Sequence, residues 1–509
     1  MRGEETLAEV VLTMDRTLAS NYRGGMFMGF SACVPKGIIP DWLYFSVFCP
    51  SVEYDEETGE VKEAPLGIRR IEAQLRREGY DVAVVHPDAV HKAIDEDTIA
   101  VGVSEIDPQG MGPATTTFTS FSGKPAYMKV CFEDLMERIR ELKDRYGFGV
   151  FMGGPGAWQV AETFPRFGVD FLIMGEGEYV VGEVVRRIEE GDRGLEIVRG
   201  KPVAAEDIPT IVNPTTNGIV EVARGCGRGC KFCSPDMREL RSFPLSKILE
   251  DVDVNVRGGH EEILLHAEDV LRYKADGWRP NVEAVLELFS AVMNRPGVKR
   301  VSVSHVALST VCQFDERLGE ISEVAGVGEL VPWMGAQVGV ETGSPRLMAE
   351  HMPGKVAPYK VEEWPDVVEQ AFGIMNDHGW VPCGTLILGL PGETEDDVMM
   401  TVELLDRLRD YKSFIVPLFF VPIGESRLSD HDFFTPEKLT EVHWEVILKC
   451  VDHDLKWLPE LYEEYARANG HGPLVKLTIR ALTWYGRRKI FKSALKWCPE
   501  KELVEAVLG

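Results

Sequence analysis

Cys226, Cys230 and Cys233 lie in the run Ala223-Arg224-Gly225-Cys226-Gly227-Arg228-Gly229-Cys230-Lys231-Phe232-Cys233, a Cys-x3-Cys-x2-Cys spacing. Positions i, i+4 and i+7 could be one buried stripe of a helix. Gly225, Gly227 and Gly229 oppose that, because each weakens a helix by about 1 kcal/mol relative to Ala. A glycine-rich loop can instead bend its backbone around a bulky group. A structural zinc site normally has four ligands, and no fourth Cys or His follows at close spacing. Disulfides suit small secreted chains, not ten cysteines spread over 509 residues. Arg224, Arg228 and Lys231 add positive charge that favours thiolates. Three thiolates can hold three irons of a 4Fe-4S cubane and leave the fourth iron free.

The elements that must position these thiols belong to a large, acidic chain. Its length allows two to four domains. The other seven cysteines, Cys33, Cys49, Cys131, Cys312, Cys383, Cys450 and Cys498, are scattered singly, as buried small apolar residues usually are. Net charge is −27, from 55 Lys+Arg against 82 Asp+Glu. A field of that sign repels phosphate backbones and disfavours nucleic acid as a partner. No apolar run reaches the eighteen or so residues of a membrane span. The start, Met1-Arg2-Gly3-Glu4-Glu5, lacks the layout of a signal peptide. A cytoplasmic, reducing setting is expected.

Residues 1–39 read as a leader, polar and rich in glycine. Residues 40–205 alternate short apolar runs (Trp42–Phe48, Asp81–Val85, Ile99–Val103, Gly149–Met152, Phe171–Met174) with helical patterns (Ile68–Glu78, Phe132–Tyr146, Tyr179–Glu190). That alternation predicts an α/β, doubly wound, Rossmann-like parallel sheet, whose ligands bind at the carboxyl ends of its strands. Three of those ends are distinctive. One continues as Ser104-Glu105-Ile106-Asp107-Pro108-Gln109-Gly110-Met111. Another is Gly153-Gly154-Pro155-Gly156, and a third is Gly175-Glu176-Gly177-Glu178. Glycines there let a large ligand approach the backbone closely.

A proline-rich linker, with Pro202, Pro209 and Pro214, precedes a second alternating region over 206–430. Its strand candidates are Ile219–Ala223, Glu262–Leu265, Arg300–Ser304, Ala336–Val340, Gly384–Leu388 and Phe414–Phe420. Helix candidates include Val282–Met293, Pro365–His378 and Glu395–Asp410, the last capped by Thr394 with acidic residues in its first turn. Residues 431–509 turn helical, with Trp444, Trp457, Tyr462 and Trp484 suggesting a packed cap. Between Leu474 and Pro499 there is no acidic residue, and Lys476, Arg480, Arg487, Arg488, Lys489, Lys492 and Lys496 give a basic segment. Such a segment could dock an acidic partner or lipid headgroups, and its first expected role is to cover the protein's own acidic surface.

With its cysteine spacing and its strand-end motifs, the chain resembles the cobalamin-dependent (class B) radical S-adenosylmethionine methyltransferases over about residues 40–430. The resemblance implies a cobalamin-binding Rossmann-like domain, a (β/α)6 partial TIM barrel and a C-terminal helical domain. It implies that Ser104, Ile106, Gly153, Gly154, Pro155 and Gly175, Glu176, Gly177 and Glu178 surround cobalamin. No Asp-x-His-x-x-Gly motif follows the first strand, so no protein His is expected on the lower face of cobalt. The loop from Asp107 to Pro113 is expected to cover that face, with Gln109 or Met111 nearest the metal. In the barrel, Cys226, Cys230 and Cys233 would hold the cluster and Phe232 would touch adenine. His266, Glu268 and Asp269 stand where the family binds the methionine amino group. Ser304 and His305 end the third strand, Glu341 would bond ribose hydroxyls, and Leu388 and Gly389 would wall the adenine.

The chemistry implied by that family begins with cleavage of S-adenosylmethionine at the reduced cluster. The resulting 5′-deoxyadenosyl radical removes hydrogen from a substrate carbon, which then takes methyl from methylcobalamin. The protein positions the groups and excludes water and oxygen. A ferredoxin- or flavodoxin-like electron donor is implied. The run from Leu12 to Asp41 and the Asp107–Pro113 loop are similar to those of archaeal enzymes that methylate protein carbons. The glutamine C-methyltransferase of methyl-coenzyme M reductase is the nearest in kind, which implies a protein or peptide substrate, that enzyme's alpha subunit. Two alternatives remain open. One is a cobalamin-dependent cyclase, ring-contracting or lipid-modifying enzyme of the same fold. The other is an iron–sulfur and cobalamin module that senses redox state or carries cofactor.

Overall fold

Val10-Val11-Leu12-Thr13 is apolar, β-branched and wholly buried, and it forms strand β1 (Val10–Thr13). It lies inside the stretch read from sequence as a leader. The computed structural model describes residues 8–24, 26–468, 487–488, 491–492, 495–496 and 498–508. β1 pairs in parallel with β2 (Val82–Val84) on one side and β3 (Ala100–Ser104) on the other. β4 (Gly149–Gly153), β5 (Phe171–Met174) and β6 (Glu196–Arg199) extend the sheet in the order β2-β1-β3-β4-β5-β6, all parallel. This is the doubly wound sheet expected, and its direction of winding reverses between β1 and β3. The crevice beyond the carboxyl ends at that reversal is where such sheets bind ligands.

The strand expected over Trp42–Phe48 is helical instead, in short turns at Asp41–Leu43 and Tyr44–Phe48. Of its residues only Tyr44 is fully buried, stacked on Tyr127 at 3.6 Å between ring centres. A central strand would have to bury both faces, and Trp42 is 73% exposed. Helices Leu66–Arg77, Tyr127–Tyr146 and Val181–Glu189 cover the sheet, close to the ranges the periodicity predicts. The first of them buries charge as well as apolar surface. Arg69 pairs with Glu72 at 2.8 Å, and Arg70 reaches Asp251 at 2.6 Å and the Pro209 carbonyl at 2.7 Å. Asp251 lies on helix Leu245–Arg257 of the second region, so a buried ion pair joins the two layers.

The second region supplies β7 (Ile219–Glu221), the hairpin strands β8 (Ala223–Arg224) and β9 (Arg241–Ser242), and then β10 (Glu262–His266) and β11 (Arg300–Val303). β12 (Met334–Glu341), β13 (Trp380–Leu388) and β14 (Phe414–Phe419) follow. β7, β10 and β11 pair in parallel, as do β12, β13 and β14. A parallel bridge from His305 to Gln337 joins the two groups. The result is six parallel strands in chain order, an open partial barrel, as the sequence predicts. One continuous core from Val203 to Cys450 fills it and its helical coat. Thr394 caps helix Glu395–Leu408 through a reciprocal bond with Asp397.

Helices Glu441–Ala468 and Lys501–Leu508 pack together through Trp444, Leu448, Val504 and Leu508. Trp484, Lys476, Arg480 and Lys489 of the aromatic cap and basic segment lie outside the described residues. Arg487 approaches Asp452 at 3.5 Å. Among the described residues no helix is long and apolar enough to cross a membrane.

Candidate active site

The carboxyl ends of the first sheet and the interior of the barrel open on one cavity of about 2320 Å³. Drug-sized pockets span about 300–1,000 Å³, so this space can take more than one large ligand. From the first domain Ser104, Ile106, Gly153, Gly154, Pro155 and all four residues of Gly175–Glu178 line it. From the barrel His266, Glu268 and His305 line it. No histidine from the first domain is among the lining residues. The fit to a bulky ligand rests on these small residues. Ile106 is 49% exposed toward solvent, and Gly154, at φ = 100°, passes against the Glu105 backbone where a side chain would collide.

Asp107, Gln109 and Met111 do not line the cavity. Asp107 accepts from the Gly112 amide at 2.9 Å, the Thr115 hydroxyl at 2.5 Å and the Gln159 amide at 2.7 Å. The Gln109 amide donates to Gln159 at 2.9 Å. These bonds close the loop on itself, away from the space it was expected to cover.

The cysteine loop forms another wall, with Gly225, Ser234 and Asp236 facing the cavity. Gly225, Gly227 and Gly229 all take left-handed backbone, at φ of 72°, 71° and 71°. Cys226, Cys230 and Cys233 are free and partly exposed. Burial raises the Cys226 thiol, with Cys230 and Glu268 adding to the rise. Cys230 is pulled down to about 7, first by a hydrogen bond from Cys233 and then by the charge of Lys355 and Arg228. Cys233, as the donor in that bond, is raised. Among the described residues no three His, Cys, Asp or Glu side chains converge on a single ion. A cubane instead needs thiolates at three separate corners, on a loop bent by residues such as these. The donor set fits that group.

Arg228, between the first two cysteines, is buried and holds the loop. It donates to Asp269 at 3.0 Å, Thr310 at 2.7 Å, Ser309 at 3.0 Å and the carbonyls of Gly354 and Lys355 at 3.1 Å each. Asp269 is thus engaged behind the loop, while Glu268 faces the cavity. Ser304 is buried and bonds His266 at 3.0 Å. Burial pushes the His305 imidazole down to about 4, so it is neutral at physiological pH. Glu341 ends β12 in left-handed backbone, φ = 65°, and pairs with Lys355. Phe232 packs on the barrel core. Leu388 is buried, and Gly389 sits under Phe434 with its amide on Glu393 at 2.7 Å.

Sequence reasoning missed Lys355 and the anchoring role of Arg228. A lone lysine within the four-residue helix Pro353–Val356 carries no spacing signal, and its partner lies 14 residues away. It also missed that Glu176 and Glu178 face arginines of the barrel, Arg224 and Arg241.

Residues 220–405, the stretch that carries β7 to β13, match the model of the Radical SAM superfamily. An uncharacterised protein of Methanopyrus kandleri is 26% identical over 347 residues, covering 55% of this chain and 62% of that one, less than two thirds of its length. The ribosomal protein uS12 methylthiotransferase RimO of Cronobacter sakazakii is 23% identical over 428 residues, covering 79% of each. A solved structure of TsrM from Kitasatospora setae superposes with a TM-score of 0.54 at 15% identity, covering 82% of this chain and 74% of that one. TsrM is described as a radical S-adenosylmethionine methyltransferase with cobalamin and a [4Fe-4S] cluster bound. At that identity the likeness concerns the fold.

Proposed function

We propose that this protein is a cobalamin-dependent radical S-adenosylmethionine enzyme that methylates an unactivated carbon. The observation that carries the reading is the shared cavity. On one side it meets the glycine-rich carboxyl edge of a doubly wound sheet, and on the other Gly225, Ser234 and Asp236, which flank the three cysteines at the mouth of a partial barrel. When bound, the cluster, S-adenosylmethionine and cobalamin supply radical generation and methyl transfer. The chain's part is to hold these groups across one shared space and position them for reaction. Cys226, Cys230 and Cys233 would hold the cluster. Ser104, Ile106, Gly153–Pro155 and Gly175–Glu178 would hold the corrin, and Glu268 and Glu341 would contact S-adenosylmethionine.

The acceptor in this reading is a carbon of a polypeptide, a glutamine side chain of the methyl-coenzyme M reductase alpha subunit. Support comes from the loop resemblance and from an acidic surface that disfavours RNA. The test is anaerobic reconstitution followed by an absorbance spectrum and iron and cobalt analysis. Reconstituted protein is then incubated with S-adenosylmethionine, reductant and an alpha-subunit peptide containing the glutamine. The expected results are a brown chromophore, bound corrinoid and a peptide heavier by one CH2. Material lacking both chromophore and corrinoid removes the reading, and an unmodified peptide removes that substrate.

A further inference from the structure

We infer that Lys355 and Glu341 form a fixed dipole that sets the reduction potential of the cluster, Lys355 raising it and Glu341 lowering it. The inference rests on the cluster assigned above to the three cysteines.

The pair is built into the fold. Glu341 occupies a backbone conformation that costs about 1–3 kcal/mol for a residue with a side chain and persists only where its surroundings enforce it. Those surroundings are visible. The register of β12 against β13 shifts between Gly339 and Glu341. The indole of the wholly buried Trp364 donates to the Val340 carbonyl at 3.2 Å and the Thr342 carbonyl at 3.0 Å, on either side of Glu341. Gly339 leaves the space that the pair fills, since a side chain there would overlap both the Lys355 ammonium and the Glu341 carboxylate.

Lys355 is held just as firmly against the cysteine loop. Its carbonyl accepts from Arg228 at 3.1 Å and from the Ser309 hydroxyl at 2.8 Å. The Lys231 amide donates to the His351 carbonyl at 2.9 Å. Segment 351–355 and the cysteine loop therefore keep one register. The Lys355 ammonium is held against the Glu341 carboxylate, in the space that Gly339 leaves open.

The two charges are not placed equally. Lys355 belongs to the segment whose carbonyls at His351, Gly354 and Lys355 accept bonds from the cysteine loop, whereas Glu341 ends β12 and is held through Lys355. The positive partner is thus the one carried by the segment bonded to the loop. Arg228, the other nearby cation, is already paired with Asp269. A cubane on three thiolates is anionic, and one-electron reduction adds a further negative charge. A buried cation stabilises the reduced form, and a buried anion opposes it.

The test is a dithionite titration of the reconstituted full chain, without S-adenosylmethionine, followed by electron paramagnetic resonance of the reduced cluster. Lys355→Met should lower the reduced-to-oxidised ratio at a fixed potential about tenfold, a shift of about 59 mV for one electron. Glu341→Gln should move it the opposite way, and Lys355→Arg should stay near the wild type. Should Lys355→Met fail to take up iron, the charge-only change in Glu341→Gln and the Lys355→Arg comparison decide the matter. Unchanged potentials, or shifts of the same sign, overturn the inference and leave the cluster intact. A wild-type protein with no cluster signal overturns the cluster reading itself, a distinguishable outcome.

Discussion

Arg224 donates to Glu178 at 2.8 Å and to Glu176 at 2.9 Å. The residue two positions before the first cysteine of the cluster loop is therefore tied to the loop that follows β5 of the other domain. Arg224 also binds Glu221 at 2.7 and 3.0 Å, and Arg241 clasps Glu176 from the opposite strand of the hairpin. Burial disfavours charge on Glu176 and Glu221, but the arginines outweigh it and hold both carboxyls below their usual range. The Gly-Glu-Gly-Glu motif thus faces the cavity and latches the two domains together.

Removing the shared cation should be far worse than removing one acid. Arg224→Met leaves three buried carboxylates short of a partner, and breaking such a network costs about 3–5 kcal/mol. Glu178→Gln keeps a hydrogen-bonding oxygen and should cost about 1 kcal/mol. Urea unfolding midpoints of the two variants check the order. Midpoints of both variants equal to that of the wild type would mean that the latch contributes nothing to stability.

Two glycine substitutions should separate the two halves of the cavity. Gly154 is at φ = 100°, and an added Cβ meets the Glu105 carbonyl and amide, which are backbone and cannot yield. Gly229, at φ = 71°, has no heavy atom within 4 Å of that position. Gly229→Ala should cost only the left-handed backbone term, about 1–2 kcal/mol. Gly154→Ala should cost more and lower cobalt per chain while iron per chain holds. Metal analysis beside thermal unfolding of both variants reads this directly.

Arg228 makes a comparable demand. Its Asp269 partner is buried, and one Asp269 oxygen already has no hydrogen-bond partner. Arg228→Met would leave that carboxylate unpaired, at a cost of about 3–5 kcal/mol. It would also release the cysteine loop from Gly354 and Lys355. Iron uptake on reconstitution should fall, even though every cysteine is still present. Full iron with unchanged stability would make Arg228 a bystander.

The barrel was legible in the sequence because each parallel strand is an apolar run bounded by helix signals. The cysteine loop was legible because spacing and glycines survive without tertiary information. β1 was not, since four residues ahead of a polar stretch give little period to read. Trp42–Phe48 misled for the opposite reason, being aromatic enough for a strand while its side chains stay largely at the surface. The placement of Gln109 and Met111 was out of reach, because the bonds that fold their loop shut run from Asp107 to Gln159, 52 residues away. Lys355 and the Arg224 latch were hidden for the same reason. Ion pairs between distant segments leave no local pattern.

Asp454 gives a prediction in pH. It lies on helix Glu441–Ala468, lines the barrel end of the cavity, and accepts from the Ile415 amide at 2.8 Å. Burial pushes its carboxyl from 3.8 up to about 8. Between those values the native state keeps a proton that the unfolded state has lost. Stability from this group is therefore full below about pH 4 and falls as pH rises toward 8. Asp454→Asn keeps the acceptor oxygen and removes the titration. Its melting temperature relative to wild type should climb steadily from pH 5 to pH 8 and level off above. The total should be worth several kcal/mol, since each tenfold change in proton affinity between the folded and unfolded chain contributes about 1.4 kcal/mol. A difference that stays flat across that range would mean the carboxylate is ionised in the fold and solvated through the cavity.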